Sequence, residues 1–270
     1  MDMDGLARDG LVLLGCGKMG TALLTGWLAA GLPAASIWVL EPNPSDWLNA
    51  TGAHVNQPLP SAAAVALVAV KPQMMGTALP ALQALGNGTT LFISIAAGTP
   101  IAAFEAALGQ NTPIVRTMPN TPAMVGRGIT GICGNARAGA AGLAMARNLM
   151  LAVGQVVELD DEDQIDAVTA VSGSGPAYVF HLIEAMAAAG EAEGLSPGVA
   201  MQLARATVCG AGELAYRAPE SAAQLRINVT SPAGTTAAAL AVLMDPDTGL
   251  SPLMRRAVHA AAERGRELGK

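Results

Sequence analysis

The chain has 270 residues, of which 51% are hydrophobic and 13% charged, and its formal net charge is −6. At roughly 150 residues per domain this length corresponds to about two domains, and the composition is too apolar for a disordered chain. Its 31 glycines and 17 prolines interrupt helical patterns too often for a coiled coil. The length also excludes a disulfide-stapled miniprotein, so the sequence predicts a globular protein.

Charge and cysteine usage narrow the classes of partner. The acidic balance, without any basic block, argues against nucleic acid. The longest apolar run, residues 62–70, is far shorter than the roughly 20 residues that span a bilayer, and the acidic N-terminus does not resemble a signal peptide. Cys16, Cys133 and Cys209 lie far apart and form neither a disulfide pattern nor a zinc-binding spacing. We expect a protein of the reducing cytoplasm that binds no metal, membrane or nucleic acid.

Short apolar runs alternate with longer helical patterns through the first part of the chain. Strands separated by helices are typical of a parallel sheet with helices on its faces. The sequence therefore predicts an α/β fold in which residues 1–160 form a doubly wound domain around a parallel sheet. The predicted strands are 11–14, 37–40, 65–70, 91–95, 114–116, 129–133 and 155–159.

The pattern changes after the acidic run 160–163, which we interpret as a solvated linker and helix start rather than a metal site. Apolar helical stretches follow, and Ser196 with Pro197 marks a helix start because a capping residue precedes a proline at the first helical position. Residues 161–270 are therefore predicted to form an all-helical domain. Since these helices carry few charges, we expect a second copy of the chain to bury them. The predicted helices are 176–192, 197–216, 221–229, 235–244 and 252–268.

A glycine-rich turn follows the first predicted strand. The sequence LVLLGCGKMG over residues 11–20 places GxGxxG directly between a strand and a helical pattern. Gly15 allows the tight turn, Gly17 lets the backbone approach a pyrophosphate, and Gly20 lets the helix pack closely on the strand. The helix start then offers free N–H groups to the phosphates. The sequence predicts a dinucleotide site, with a turn that binds nothing as the alternative.

Glu41 bears on which dinucleotide is bound. It ends the second predicted strand, where an acidic residue commonly accepts hydrogen bonds from the adenosine ribose of NAD. The 2′-phosphate of NADP would meet like charge there, and no arginine between Arg8 and Arg116 offsets it. The cofactor is therefore NADH or NADPH, and Glu41 favours NADH. In the alternative, Glu41 points into solvent.

Three other segments fall at the carboxyl ends of predicted strands, the edge at which doubly wound sheets bind ligands. Lys71 is either a cation near the ribose or phosphates of the cofactor or a solvated strand end, and the local sequence favours neither. Small residues in 94–98 leave room for a nicotinamide ring. The proline-rich loop around Asn120 is predicted to form the wall of that space.

A second candidate site lies in the helical half. The segment TSPAGTT, residues 230–236, offers hydroxyls around a glycine and the free amides of a helix start, which suit a small carboxylate. Ordinary capping by Ser and Thr is the alternative. Because no lysine lies between Lys71 and Lys270, this half has none for acid–base or Schiff-base chemistry. Reduction of a C=N bond fits, since an imine is protonated in water and then accepts a hydride directly.

Taken together, six segments resemble the pyrroline-5-carboxylate reductase family. The resemblance implies a Rossmann-type domain followed by a helical domain that interlocks with a second subunit, with rings of dimers in some members. It also implies hydride transfer from NAD(P)H to the ring imine of 1-pyrroline-5-carboxylate, which gives L-proline in the last step of proline biosynthesis. The segments are 15–20, 69–72, 94–98, 118–122, 166–178 and 231–236.

The resemblance also implies roles for individual residues. The amides near Gly234 and Thr235, together with Ser231, would hold the substrate carboxylate. The hydroxyl of Thr236 would hydrogen-bond the ring nitrogen, which makes Thr236 the candidate catalytic residue. The residues expected to line the cofactor, together with Glu41 and Asn120, are Leu14, Gly15, Cys16, Gly17, Lys18, Met19, Ala69, Val70, Lys71, Pro72, Ile95, Ala96 and Ala97.

The sequence departs from the family pattern next to the candidate substrate loop. The usual Leu-Lys-Asp is here Leu225-Arg226-Ile227, which removes a polar group, and the usual Gly-Gly is Ala233-Gly234. An alanine restricts the backbone if that position has a positive φ. Two alternatives remain: a β-hydroxyacid or 6-phosphogluconate-type dehydrogenase, which would need a catalytic helical lysine, and a protein that binds NAD(P) without turnover.

Overall fold

The computed structural model describes residues 3–269. It divides into two compact units: the chain up to Gly173 together with the stretch from Ala261 onward, and Ser174–Ala260. This division falls later than the predicted boundary after residue 160, because Ile165 is fully buried in the core of the sheet unit. The last helix begins in the second unit and ends in the first.

The first unit is built on an eight-stranded sheet with the order β3-β2-β1-β4-β5-β6-β7-β8. The seven predicted strands are all present, and β3 is a short addition at the edge that the sequence pattern did not predict. The strands are β1 (Leu11–Leu14), β2 (Ile37–Leu40), β3 (His54–Val55), β4 (Val65–Val68), β5 (Leu91–Ser94), β6 (Ile114–Met118), β7 (Gly128–Gly134) and β8 (Gly154–Glu158).

Neighbouring strands run parallel except at one place, where the prediction of parallel pairing is wrong. β7 is antiparallel to β6, with Arg116 opposite Cys133 and Met118 opposite Gly131. The connection between them contains only a short 3₁₀ helix, Thr121–Val125. Because a parallel pair needs a crossover of a dozen or more residues, this loop permits only a reversal of direction.

Helices cover both faces of the sheet. β1 sends Leu11 and Leu13 into one apolar cluster and Val12 into the other, as expected for a strand buried on both sides. Trp27 is fully buried, and its Nε1 donates to the Leu149 carbonyl oxygen at 3.0 Å. The helices of this unit are α1 (Met3–Asp9), α2 (Lys18–Ala29), α3 (Asp46–Asn49), α4 (Met75–Ala78), α5 (Ile101–Leu108), α6 (Gly139–Leu151) and α7 (Gln164–Val168), with a π-helical turn over Thr169–Gly173.

The second unit is helical, as predicted. Ala187 on the first of its helices packs with Ala200 and Ala204 on the next, and these small residues form its buried cluster. Large apolar side chains, including Phe180 and Leu203, are exposed on the single chain. Among the described residues, no helix combines the length and apolarity needed to cross a bilayer. The helices are α8 (Gly175–Ala192), α9 (Pro197–Arg217), α10 (Ala222–Asn228), α11 (Thr235–Leu243) and α12 (Leu250–Leu268).

Candidate cofactor and substrate sites

The three glycines between β1 and α2 meet three different steric requirements. Gly15 has φ +90°, and a Cβ there would lie 3.0 Å from the Ala69 carbonyl oxygen. A Cβ on Gly20 would lie 2.6 Å from the Gly15 carbonyl oxygen, so the helix packs on the turn only without a side chain. At Gly17 no described atom lies within 4 Å of a Cβ position, which leaves the backbone open to a ligand. Within the described residues, no side chain caps α2, whose first N–H groups are therefore available to an anion.

The turn opens into a cavity of about 590 Å³ at the carboxyl edge of the sheet. The cavity lies where β1 sits between β2 and β4, the point at which the strand order reverses and α/β sheets bind ligands. Of the predicted cofactor residues, those that line it are Leu14, Gly15, Gly17, Glu41, Ala69, Val70 and Lys71. Lining residues that the sequence did not single out include Asn43, Asn56, Met74, Thr77, Ala78 and Ala81.

Glu41 is half-buried and turns toward the glycine turn rather than into solvent. Its Oε2 accepts from the Cys16 backbone N–H at 2.8 Å, and its Oε1 accepts from the Asn43 backbone N–H at 3.0 Å. The Asn56 side chain makes two hydrogen bonds to the Glu41 backbone. Its Nδ2 donates to the Glu41 carbonyl oxygen at 2.9 Å, and its Oδ1 accepts from the Glu41 N–H at 3.0 Å. Each carboxylate oxygen keeps a lone pair, so ribose hydroxyls can still donate to Glu41.

Cys16 and Lys18 do not line this cavity. Burial raises the pKa of the Cys16 thiol, whose Sγ lies 3.6 Å from the Thr21 hydroxyl oxygen, so the thiol is neutral at physiological pH. Lys18 instead lines a separate, smaller cavity of about 270 Å³ together with Thr21 and Thr25. Backbone N–H groups rather than these side chains are therefore the groups offered to phosphates at the turn.

The segment after β5 and the Asn120 loop are held by internal hydrogen bonds. The Ser94 hydroxyl accepts from the Ala96 N–H at 3.2 Å, which folds the small residues predicted to face a nicotinamide ring. Asn120 is buried, and its Oδ1 accepts from the Ile129 N–H at 2.9 Å while its Nδ2 donates to the Ser172 carbonyl at 3.1 Å. The amide of Asn120 is thus engaged within the protein.

The candidate substrate loop is a tight turn that ends at an uncapped helix. The Gly234 N–H donates to the Ser231 carbonyl at 3.2 Å, with Pro232 in the second position and Ala233, φ +57°, in the third. This is the pattern of a type II turn, whose third position favours Gly or Asn. A Cβ on Gly234 would collide with the Ser231 hydroxyl. Since no described side chain caps α11, its first amides are free, contrary to the capping alternative.

Among the described residues, no three His, Cys, Asp or Glu side chains come together as metal ligands.

The acidic run 160–163 leads directly into α7, but it is not solvated throughout. Glu162 forms an ion pair with the buried Arg116 at 2.7 Å, which sequence reasoning missed because the partners are 46 residues apart.

Comparisons with known proteins give matches in both parts of the chain. Residues 162–268 match a family model described as pyrroline-5-carboxylate reductase dimerisation, and residues 11–98 match one described as NADP oxidoreductase, coenzyme F420-dependent. The pyrroline-5-carboxylate reductase of Pseudomonas aeruginosa is 42% identical over 96% of this chain and 97% of its own. That of Escherichia coli is 35% identical over 95% and 97%. The chain belongs to the pyrroline-5-carboxylate reductase family.

Solved structures of the pyrroline-5-carboxylate reductase family share the whole fold. The enzyme from Coxiella burnetii superposes with a TM-score of 0.90 at 36% identity, covering 97% of this chain and 99% of that one. A Plasmodium falciparum pyrroline carboxylate reductase with NADP bound has a TM-score of 0.83 at 29% identity, covering 98% and 100%. Membership in this family decides against the hydroxyacid dehydrogenase alternative.

Two departures from the pyrroline-5-carboxylate reductase pattern have visible consequences. Ala233 does adopt the positive φ that the usual glycine would take without strain. Ile227, where the family has Asp, is exposed, and the neighbouring Arg226 guanidinium instead contacts the Met244 sulfur at 2.7 Å.

Proposed function

We propose that this protein reduces 1-pyrroline-5-carboxylate to L-proline with NADH or NADPH. The observation that carries the proposal is the open backbone at Gly17, which lies next to the uncapped start of α2 and lines the cavity of about 590 Å³. The chain that has this site belongs to the reductase family. When bound, the reduced nicotinamide would supply the hydride that the imine carbon accepts, and water would supply the proton for the ring nitrogen.

The glycine turn and the strand ends hold the cofactor. The amides at the start of α2 bind the pyrophosphate, and Ala69, Val70, Lys71 and Pro72 border the ribose and phosphates. Lys71 adds a positive charge at the rim of the cavity that it lines. The small residues at 95–97 and the Asn120 loop shape the space for the nicotinamide ring.

The preferred cofactor is NADH. Glu41 lines the cavity and carries its charge where the adenosine ribose is expected. A 2′-phosphate next to this carboxylate is repelled, whereas ribose hydroxyls can donate to its free lone pairs. NADPH is accepted less well.

The loop before α11 holds the substrate. The free amide at Thr235, next to the turn that ends at Gly234, binds the carboxylate together with the Ser231 hydroxyl, since the positive end of a helix favours an anion. The Thr236 hydroxyl hydrogen-bonds the ring nitrogen and orients the C=N bond toward the hydride. The support is the uncapped start of α11 and the half-buried position of Thr236.

The protein works as a homodimer, or a ring of such dimers, in the cytoplasm. Residues 1–160 serve to bind the dinucleotide and residues 161–270 to bind the substrate and the second copy, with 161–173 packed in the first compact unit. Support comes from the match of 162–268 to a dimerisation model and from the exposed apolar side chains on α8 and α9, which a second copy would cover.

Product analysis tests the proposal. Purified protein is incubated with racemic 1-pyrroline-5-carboxylate and either cofactor, and proline is resolved on a chiral column. We expect L-proline to form in proportion to cofactor oxidised, faster with NADH. Cofactor that binds but is never oxidised would instead support the alternative of binding without turnover.

A further inference from the structure

Two adjacent residues of β6 hold both ends of the loop that connects β5 to α5. Thr117 is fully buried, and its Oγ1 donates to the carbonyl oxygen of Ser94, the last residue of β5, at 3.0 Å. At the other end of the loop, Arg116 is linked to the start of α5 by Glu162, which contacts both. The Glu162 Oε1 accepts from the Arg116 guanidinium at 2.7 Å and from the N–H of Ile101, the first residue of α5, at 2.8 Å.

The start of α5 depends on Glu162. Its N-cap residue is Pro100, and no side chain adjacent in sequence caps this helix. A carboxylate is favourable at a helix N-terminus because it satisfies a free N–H and meets the positive end of the dipole. Glu162 therefore fixes where α5 begins, and the loop 95–100 between the two anchors has both of its ends set by β6.

Stability alone does not explain the Arg116–Glu162 pair. The Arg116 side chain is 7% exposed, and among residues 3–269 its Nε has no hydrogen-bond partner. Its neighbours on the same face of β6, Ile114 and Met118, belong to an apolar cluster. Taking a guanidinium into such surroundings costs desolvation that one carboxylate offsets only in part, and apolar residues are often as stable in such places. What the charged pair adds is a defined position for the start of α5.

We propose that Arg116, Thr117 and Glu162 are positioning residues for hydride transfer. They hold the loop 95–100 so that its small residues keep the nicotinamide ring at the distance that transfer to the imine requires. The inference rests on the proposed function, in which 95–97 shape the nicotinamide space. Because reaction geometry is sensitive to displacements of about 1 Å, a loosened loop lowers the rate of transfer far more than it weakens a cofactor anchored at the glycine turn.

Thr117 gives the cleanest test, since Thr117→Val removes the hydroxyl and keeps the shape, and Thr117→Ser restores the hydroxyl. The matched control is Thr90→Val. Thr90 is also buried, and its hydroxyl also donates to a backbone carbonyl, that of Ala63 at 2.8 Å, remote from the loop. Glu162→Gln is the second probe, because it keeps an acceptor for Ile101 and removes the charge that faces Arg116.

Each variant is measured for Tm, kcat, cofactor KM and the isotope effect with NADH deuterated at the transferred position. For Thr117→Val we expect kcat to fall by roughly tenfold and cofactor KM to change by less than about threefold. The isotope effect should rise, or keep its wild-type value if hydride transfer already limits the wild-type rate. Thr117→Ser should recover most of kcat, and Glu162→Gln should shift the same parameters. Thr90→Val should lower Tm alone.

Equal kcat values for Thr117→Val and Thr90→Val at similar Tm would overturn the positioning role while leaving the reductase activity in place. A fall in kcat accompanied by a smaller isotope effect would also overturn it, since the slowed step would then lie outside hydride transfer. A wild-type protein without imine-dependent oxidation would overturn the proposed function and this inference with it.

Discussion

The carboxylate of Glu41 accepts a hydrogen bond from the backbone N–H of Cys16 at 2.8 Å. The end of β2 is thereby tied to the glycine turn between β1 and α2, although the residues are 25 positions apart. The Glu41 side chain therefore shapes the glycine turn, and in the proposed function it also meets the adenosine ribose.

Replacing Glu41 should change both cofactor preference and affinity. In Glu41→Ser the repulsion of a 2′-phosphate is lost, so we expect the kcat/KM ratio of NADH to NADPH to fall by roughly tenfold, about 1.4 kcal/mol. KM for NADH should rise as well, because the Cys16 N–H loses its acceptor. Initial rates with each cofactor measure both effects, and an unchanged ratio would remove Glu41 from cofactor selection.

Two glycines of the turn should respond oppositely to alanine. A Cβ on Gly17 meets open space, so Gly17→Ala should unfold at the same urea concentration as the wild type. The same methyl group should raise cofactor KM at least tenfold, because it fills the space through which the pyrophosphate approaches the backbone. A Cβ on Gly20 meets the Gly15 carbonyl, so Gly20→Ala should lose about 1–3 kcal/mol of unfolding free energy. Destabilisation of Gly17→Ala with normal cofactor KM would contradict this account of the turn.

Ala233 has a strained backbone conformation in the candidate substrate loop. An L-residue at its φ of +57° is less stable than glycine by roughly 1–2 kcal/mol, of which the greater freedom of glycine in the unfolded chain offsets about 0.5–1. Ala233→Gly should therefore raise the unfolding free energy by about 0.5–1 kcal/mol, whereas Ala233→Val should lower it. Urea denaturation of the three proteins decides, and a less stable glycine variant would mean that the turn does not hold this φ.

Burial of Cys133 predicts a loss of stability at alkaline pH. Burial, with the nearby Glu162 charge, raises the pKa of this thiol from 9.0 to about 11. Between pH 9 and pH 11 the unfolded chain releases the thiol proton and the folded chain keeps it, so the unfolding free energy falls by about 1.4 kcal/mol per pH unit. Below pH 9 both states keep the proton, and this thiol makes stability no more dependent on pH. Cys133→Ala should lack this component, and Cys209→Ala, which alters an exposed thiol, should retain it. Parallel pH profiles for wild type and Cys133→Ala would contradict the shift.

The sequence predicted the features that are local in the chain. Short apolar runs located the strands, and helical patterns located the helices of the second unit. The spacing of Gly15, Gly17 and Gly20 located the turn because its geometry depends on consecutive residues. The two-residue strand at His54 was missed, since it is too short to form an apolar run and is supported by stacking of that ring on Trp38.

What sequence reasoning could not supply depends on contacts between distant segments. Asn56 and Glu41, which are hydrogen-bonded, lie 15 positions apart in the sequence, and the ion-paired Arg116 and Glu162 lie 46 positions apart. Neither leaves a periodic signal, and an acidic run with no visible partner is ordinarily a solvated one. The positive φ at Ala233 was foreseen as a possibility because the family places glycine there.

Initial rates of NADH oxidation show whether the protein reduces the imine of 1-pyrroline-5-carboxylate and whether Thr236 takes part. Wild type is compared with Thr236→Ala and with Thr236→Ser, which keeps the hydroxyl. We expect imine-dependent oxidation that Thr236→Ala lowers by roughly tenfold to a hundredfold in kcat/KM, about 1.4–2.8 kcal/mol, and that Thr236→Ser largely retains. Wild-type rates in Thr236→Ala would exclude the hydroxyl from the mechanism, and a wild-type protein that oxidises no cofactor with this imine would contradict the function itself.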